Sequence, residues 1–218
     1  MQAIDIRKHI LFEDPSILVV HKPAGLMVEP DRNNHPNLQQ LGKAYLRQTA
    51  PVESGEVYLQ HIHRLDRPVS GIILFTKQKS VLKNLSEQFA FRTVKKYYQA
   101  LTAIAPNELA GSLEHWLRKE KKKAVIYENE IEYSERVILN YSTKSISVHK
   151  HLWNIELHTG KYHQIRSQLA FIGCPVIGDA LYGSDIPYHP DAIALNACKL
   201  VFRHPISDTE MTFEKYDL

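Results

Sequence analysis

The sequence is poor in cysteine and has no long apolar run. Cys174 and Cys198 are the two cysteines of 218 residues. Two are too few for the disulfide framework of a small secreted domain, so we expect free thiols in a reducing cytosol. The apolar runs Ile17–Val20 and Ile72–Phe75 have the length of strands and fall far short of a membrane-spanning helix. Residues 1–7 precede no apolar stretch, so no signal peptide is predicted and a cytoplasmic location is expected.

A strong excess of charge is also absent. The net charge is +3 and the pI is about 8.7. This balance is compatible with a polyanionic partner but does not require one, because many unrelated enzymes are as basic. Hydrophobic residues make up 44% and charged residues 23% of the chain, as in ordinary globular proteins. Composition therefore limits the classes of function without choosing among them.

What the sequence does contain is the polar stretch His63–Gly71, which runs directly into the apolar run Ile72–Phe75. Within it, Asp66 lies between Arg64 and Arg67. Nearby positive charge favours the ionised form of a carboxyl group, so Asp66 is placed to act as a nucleophile or a base. The alternative is an ordinary surface cluster of salt bridges, and this short string alone does not exclude it.

Three further stretches contain residues typical of functional sites. Lys22 begins a loop that contains Pro and Gly and follows a strand-like run. Lys95–Leu101 is extended and aromatic, and alternation places Tyr98 on the opposite face from the tyrosine before it. Periodicity alone would allow these two tyrosines to be exchanged. Thr159–Arg166 leads into a helical pattern and ends on Arg166.

These stretches resemble the signature motifs of the RNA pseudouridine synthases, in the branch that includes ribosomal large subunit pseudouridine synthase A and tRNA pseudouridine synthase C. His63–Gly71 resembles the motif with the catalytic aspartate. Lys96–Ala100 resembles a motif whose tyrosine stacks on the target base, and Thr159–Arg166 one whose last arginine pairs with that aspartate. Lys22–Leu26 resembles the first motif of the family. The likeness extends in order from about residue 10 to residue 213.

The resemblance implies an isomerase that converts uridine in RNA to pseudouridine. It assigns catalysis to Asp66, stacking on the uracil to Tyr98, and orientation of the ionised aspartate to Arg166. Asp66 could attack the sugar or remove its C2′ proton, and the sequence leaves both open. Because these groups cannot reach a stacked base, the target has to be flipped out or come from a loop. The expected substrate-binding residues are Arg64, Arg67, Lys22, Lys161 and His163.

The resemblance also implies an α+β architecture, the pseudouridine synthase catalytic fold. A mostly antiparallel curved sheet is expected, flanked by helices and crossed by the active-site cleft. Since the sequence has no repeats and no linker, we predict one catalytic domain over residues 1–218, without a separate N-terminal RNA-binding domain. The expected partner is tRNA, large-subunit rRNA or both. No cofactor, metal or membrane partner is expected, and we expect a monomer.

Five positions depart from the family pattern. His21 replaces Asn, Val69 replaces Thr, Lys161 replaces Arg, and Gln168 and Asn196 each replace His. Lysine keeps the positive charge of arginine but loses its bidentate binding of phosphate. The departures at Lys161, Gln168 and Asn196 therefore bear on the affinity for the substrate or on its choice, whereas Val69 is a small β-branched exchange that is not expected to matter.

Two other classes of function share features with this sequence. A glycoside or nucleoside hydrolase also attacks a C1′ bond but typically needs two carboxylates. Only Asp66 lies in a motif, and Asp179 is the nearest second choice. A non-catalytic RNA-binding module has no reason to place an acid between two arginines. His61–His63 and His149–His151 have a His-x-His pattern, but neither has a Cys or carboxylate at ligand spacing.

Local patterns predict where the helices begin. Asn37 is expected to cap one helix and Ser80 a second, and Thr159 is expected to cap a third that Gly173 ends. The densest basic run, Arg118–Lys123, is interpreted as a solvated loop. If this run binds anything, phosphate backbone is the expected partner.

Overall fold

The computed structural model describes residues 4–31, 35–49 and 57–218. Their contacts form two compact units, one of residues 1–94 and 199–215 and the other of residues 95–198 and 216–218. The elements are β1 (Ile10–Glu13), β2 (Ile17–Lys22), α1 (Leu38–Thr49), β3 (Gln60–His61), β4 (Ser70–Thr76), α2 (Lys79–Ala90), β5 (Lys95–Thr102), β6 (Ala110–Glu120), β7 (Lys123–Tyr127), β8 (Glu135–Ser147), β9 (Lys150–Leu157), α3 (Gln164–Phe171), β10 (Leu195–Arg203) and β11 (Glu210–Glu214). The contacts thus divide into two units, and the single catalytic domain expected from the sequence stays a prediction.

In the first unit, β2 lies between β1 and β4 in antiparallel pairing. All six residues of β2 are buried, and so are residues 71–76 of β4, which explains the continuous apolar runs of both strands. Lys22 at the end of β2 pairs with Gly71 at the start of β4. This register brings the loop after Lys22 and the loop before Gly71 to the same end of the strand pair.

One apolar cluster holds this unit together. It contains Ile17, Val19, Ile72, Leu74, Leu85, Val94, Leu200 and Phe202, all less than 5% exposed. The strands contribute alternate residues and helix α2 contributes Leu85, as expected of half-buried faces that pack on one another. Burial of each large aliphatic side chain contributes about 1.5–3 kcal/mol, so the strand that follows the Asp66 loop is firmly fixed.

The second unit contains an antiparallel sheet in the strand order β5-β9-β8-β6-β7. Tyr98 of β5 pairs with Ile155 of β9. Trp153 is fully buried in β9, and its indole Nε1 donates a hydrogen bond of 2.8 Å to Thr102 Oγ1. The predicted α+β class and the mostly antiparallel sheet are confirmed. The cleft across the sheet stays a prediction.

Among the expected helix caps, that of α1 is confirmed, because Asn37 Oδ1 accepts a hydrogen bond from the backbone N–H of Gln40. The other two are wrong. Helix α2 begins one residue before Ser80. Helix α3 begins after His163, because the hydroxyl of Thr159 binds the backbone N–H of Ile138 instead.

The basic run Arg118–Lys123 is not an extended loop. Its first three residues end β6, Lys123 begins β7, and Glu120 pairs with Lys123 across the turn. The run therefore forms the tip of a β-hairpin, because the apolar alternation of Leu117, Ala124 and Ile126 extends both strands into it. In the described part of the chain, no helix combines the length and the apolar character needed to cross a membrane.

Candidate active site

Asp66 lies in a tight turn that is anchored on both sides. Its carbonyl oxygen accepts a hydrogen bond of 3.1 Å from the N–H of Val69, which is 2% exposed. Upstream, His63 Nε2 accepts from the N–H of Leu74 at 3.2 Å, and the His63 ring stacks on Phe89 at 4.8 Å. Asp66 itself is half-buried. The turn is therefore held against β4 while its carboxylate has partial access to solvent.

The side chain of Lys22 ties this turn to the first motif. Its Nζ donates to the carbonyl oxygens of Pro23 (3.1 Å), Leu26 (2.8 Å) and Arg67 (3.1 Å). The N–H of Gly25 also donates to the Arg67 carbonyl at 2.8 Å. Gly25 has a φ of 82°, a left-handed conformation that favours glycine. The two loops are thus joined at Arg67, directly after Asp66.

Burial strongly affects the charge of Lys22. The residue has no exposed surface, and burial lowers the pKa of its ammonium to about 7. The negative charge of Asp66 acts in the opposite direction, and the positive charge of Arg67 adds to the lowering. Lys22 was predicted to bind substrate. That role stays a prediction, and in the structure the fully buried ammonium donates to three carbonyls and supports the loops.

The two arginines beside Asp66 point to other partners. Arg64 Nη1 lies 2.8 Å from Glu29 Oε1, and its side chain is 61% exposed. Arg67 Nε donates to the Gly25 carbonyl at 3.0 Å, and Arg67 is also exposed. Both remain accessible to phosphate, so their expected contacts with RNA stay predictions.

In the second unit, Arg166 is held by a buried bidentate ion pair. Its Nε lies 2.6 Å from Asp179 Oδ2 and its Nη2 lies 2.9 Å from Asp179 Oδ1. The side chains are 6% and 2% exposed. Parallel N–H···O bonds of this kind fix the plane of the guanidinium. Arg166 therefore has a defined orientation in the first turn of α3.

An aromatic stack continues from Arg166. The guanidinium lies over the ring of Tyr182 at 5.1 Å, and the hydroxyl of Tyr182 lies 2.9 Å from His163 Nδ1. The His163 ring stacks on Tyr162 at 3.8 Å. Burial raises the pKa of Tyr182 to about 12, and its hydroxyl accepts from the N–H of Ala124. His163 is thus fixed between two aromatic rings, and its predicted contact with substrate is untested.

Tyr98 and its motif neighbour Lys96 lie in β5. Tyr98 is 9% exposed, whereas Tyr97 is half-buried, as the predicted alternation requires. A Cβ added at Gly160 would come within 2.9 Å of Lys96 Nζ. The second residue of the Thr159–Arg166 motif therefore gives space to the lysine of the tyrosine motif.

Comparisons with known proteins identify the family. The family model described as RNA pseudouridylate synthase matches residues 16–171. An uncharacterized RNA pseudouridine synthase of Mycoplasma genitalium is 31% identical over 216 residues, which cover 98% of this chain and 68% of that protein. Ribosomal large subunit pseudouridine synthase D of Zymomonas mobilis is 30% identical over 225 residues, covering 96% and 69%.

The chain belongs to the RNA pseudouridine synthase family. It is an isomerase that acts on RNA, as the motifs predicted. The solved structure of human RNA pseudouridylate synthase domain containing 4 has the same fold, with a TM-score of 0.80 at 20% identity, covering 97% of this chain and 89% of that one.

The synthase accommodates its departures from the family pattern in different ways. Lys161 Nζ lies 2.7 Å from Glu135 Oε2 at the surface. Gln168 is fully buried, and its amide donates to the Leu113 carbonyl at 3.1 Å and lies 3.0 Å from His115 Nδ1. Burial lowers the pKa of His115, and the negative charges of Glu128 and Glu114 act in the opposite direction. When His115 is neutral, its Nδ1 can accept a hydrogen bond from the amide of Gln168. A histidine at position 168, as in the family pattern, would place a second titratable group beside His115.

Asn196 is different, because it is fully buried and neither atom of its amide has a hydrogen-bond partner among the described residues. As to metal binding, residues 4–31, 35–49 and 57–218 contain no group of three or more His, Cys, Asp or Glu that could hold an ion. The His61–His63 pair is engaged elsewhere, since His61 Nε2 lies 3.1 Å from Glu29 Oε2 and His63 binds the backbone of Leu74.

Sequence reasoning missed the roles of Lys22, Asp179 and Tyr182. One signal was present, because Asp179 is a lone acid after the apolar stretch Cys174–Gly178. A buried arginine needs a carboxylate, and an acid that follows an apolar segment is a candidate for that partner. No local pattern indicated the burial of Lys22.

We expect Lys22→Met to lower the free energy of unfolding by about 2 kcal/mol or more, because it removes the ammonium from three carbonyl groups, of which that of Arg67 keeps the N–H of Gly25. The loss should depend on pH. The pKa of Lys22 is about 7 in the folded chain against an ordinary value of 10.5, so between these values the unfolded chain binds more protons. The stability of the wild type relative to the variant should therefore rise with pH from 7 towards 10.5 and be constant below 7.

Denaturant unfolding over this pH range measures both effects. Lys8→Met is the control, since Lys8 is exposed. Equal unfolding midpoints for the Lys22 and Lys8 variants at every pH would contradict the structural role of Lys22.

Proposed function

We propose that the synthase isomerises uridines of tRNA, of large-subunit rRNA, or of both, with Asp66 as the catalytic carboxylate and the target base flipped out. The observation that supports this most directly is the fixed turn at Asp66. Lys22 and Gly25 hold the Arg67 carbonyl, and Val69 holds that of Asp66. A half-buried carboxylate on so constrained a backbone is placed to meet a sugar with little loss of entropy.

Isomerisation breaks the N1–C1′ bond, turns the uracil, and joins C5 to the same C1′ carbon, and in the course of it C5 loses a proton and N1 gains one. An anionic oxygen beside the sugar is needed, either to attack C1′ or to remove the C2′ proton. Asp66 supplies that oxygen in this proposal. Tyr98 offers a flat face for the detached base, because an aromatic ring stacks on a nucleobase with little loss of side-chain freedom.

Arg166 is proposed to orient Asp66 and to favour its ionised form. Asp66 belongs to the first unit and Arg166 and Tyr98 to the second, so their joint action is part of the proposal. Support comes from the local setting of Arg166. Asp179 binds its Nε and Nη2 and sets the plane of the guanidinium, as required of a cation that has to meet a carboxylate in a fixed direction.

The same ion pair disfavours a hydrolase. A glycosidase needs a second carboxyl group that faces the substrate, and Asp179 was the nearest choice in the sequence. Both of its oxygens are bound to Arg166, and its side chain is 2% exposed. Asp179 is therefore engaged in positioning Arg166 and is not available as a second acid.

The proposed targets follow from relatives and motifs. The Zymomonas mobilis relative is named for the large ribosomal subunit, and the motifs resemble a branch with both rRNA and tRNA enzymes. We also propose a cytoplasmic monomer, a location that two buried free thiols support.

Mapping of pseudouridine in total RNA from cells with and without the gene tests the target. We expect one or a few sites in tRNA or large-subunit rRNA to disappear without the gene and to return with the wild-type protein. Incubation of the purified protein with that RNA should release no free uracil. Loss of sites in other RNA alone would contradict the proposed target, and release of uracil would indicate a hydrolase.

Asp66→Asn should reduce pseudouridine formation by about 10³-fold or more, because the amide can act neither as nucleophile nor as base. RNA binding should change little, since the backbone contacts of the turn remain. Single-turnover assays with the mapped RNA measure the rate. The control is Asp5→Asn, which removes an exposed carboxylate. Asp179→Glu is unsuitable because it would alter the ion pair with Arg166. Near-normal turnover by Asp66→Asn would refute the assignment.

Tyr98→Phe should remain largely active, and Tyr98→Ala should lose about 1–3 kcal/mol of stacking, equivalent to roughly a 5- to 150-fold lower kcat/KM. The matched pair is Tyr97→Phe and Tyr97→Ala in the same strand. If the Tyr97 pair shows the larger difference in kcat/KM, the two tyrosines have been assigned the wrong way round.

A further inference from the structure

The hairpin between β6 and β7 presents positive charge that the protein does not neutralise. Lys119, Lys121, Lys122 and Lys123, here named the lysine hairpin, are all exposed. None of them pairs with a carboxylate among the described residues. Many other surface cations do, as Lys161 with Glu135 and Lys199 with Glu214 show. Even Arg118, at the base of the hairpin, is bound to Glu120 and Tyr127.

The turn of the lysine hairpin has a sequence that its backbone does not favour. Lys121 has a φ of 52°, in the left-handed region where Gly, Asn or Asp are preferred. A lysine at this position accepts a conformational cost that glycine would avoid. Three lysines in succession also repel one another. Local stability therefore does not explain this sequence, whereas the binding of an anion does.

The lysine hairpin is rigidly attached to the aromatic stack beside Arg166. Lys119 Nζ lies 4.7 Å from the centre of the Tyr162 ring, and the Tyr162 hydroxyl donates to the Lys122 carbonyl at 3.2 Å. Tyr162 packs on the apolar cluster of the hairpin strands and stacks on His163.

A second connection runs from the hairpin to the same stack. The N–H of Ala124 donates to the Tyr182 hydroxyl at 2.8 Å, and the ring of Tyr182 lies under Arg166. An anion bound at the tip would thus lie at a set distance from Arg166.

We propose that the lysine hairpin binds the phosphate backbone of the RNA strand that carries the target uridine. This inference rests on the proposed function, in which Arg166 acts next to that uridine. Lys121, Lys122 and Lys123 supply sequence-independent attraction, and the contacts of Lys119 and Lys122 with Tyr162 keep the bound strand in register with Arg166. The point charge of lysine suits this task, because it binds phosphates without demanding one geometry.

The test measures RNA binding as a function of salt. The probe is a labelled oligouridine RNA of about 20 nucleotides, longer than the 4–16 nucleotides that a single-strand groove commonly covers. The variant is Lys121→Gln with Lys122→Gln. The matched control is Lys144→Gln with Lys150→Gln, which removes two exposed lysines from the β8–β9 hairpin of the same unit, neither paired with a carboxylate in the described part of the chain.

The Lys121/Lys122 variant should bind about tenfold more weakly near physiological salt, and its slope of log K against log salt should fall by about 0.7 for each charge removed. The control and the variant Lys121→Arg with Lys122→Arg should keep the wild-type slope. The kcat at saturating RNA should be unchanged in the Lys144/Lys150 control, because its substitutions lie outside the lysine hairpin.

A slope and affinity equal to those of the control would overturn the proposal, and so would an equal loss in both variants, which would indicate a diffuse effect of net charge. The probe is neither tRNA nor rRNA, so the slopes remain measurable if the proposed target is wrong. Failure of the proposed function would appear separately, as wild-type protein that binds the probe but restores no pseudouridine in cells.

Discussion

The buried ammonium of Lys22 is the contact on which the geometry around Asp66 depends. It binds the carbonyl of Leu26 in its own loop and the carbonyl of Arg67, which lies 45 residues after Lys22 in the sequence. Removing an ammonium from water is costly, and here three carbonyl oxygens and the charge of Asp66 replace the lost hydration. Because Lys22 pairs with Gly71 in the strand register, a slip of one residue between β2 and β4 would turn its side chain to the opposite face. The position of the carboxylate therefore follows from the pairing of two apolar strands.

The second unit solves a similar problem with a different cation. Arg166 is nearly as buried as Lys22, but a planar guanidinium needs oxygens in its own plane, and Asp179 supplies both. Tyr182 then covers the face of the guanidinium. Lysine accepts scattered carbonyls around a point charge, whereas arginine requires one aligned carboxylate. The two residue types thus fit their surroundings, since Lys22 binds the scattered carbonyls of a loop and Asp179 fixes the plane of Arg166.

Much of the fold and of the candidate site could be predicted because the informative signals are local. The strand that contains Leu74, the capped helix at Asn37 and the motif of Asp66 are all defined by residues within a few positions of one another. What could not be predicted depends on long-range contacts. The burial of Lys22 arises from a carbonyl 45 residues away, and the helix after Thr159 begins late because that hydroxyl binds Ile138. A sequence pattern can place a residue on one face of a strand or helix. It does not state which distant group will form a hydrogen bond with the side chain of that residue.

The basic run Arg118–Lys123 was interpreted as a solvated loop but forms the tip of a β-hairpin. This difference bears on how the lysines could bind RNA. A solvated loop would let its lysines follow any polyanion, whereas the tip between Glu120 and Lys123 is closed by strand pairing and attached to Tyr162. Fixed charges favour one path of a backbone over others. The groups proposed for the reaction are buried or half-buried and belong to motifs that the family shares, so on that proposal they do not distinguish one RNA from another by themselves. Selection among RNAs would then come from exposed features, and within the described chain the lysine hairpin combines exposure, positive charge without a carboxylate partner, and contacts with the aromatic stack beside Arg166.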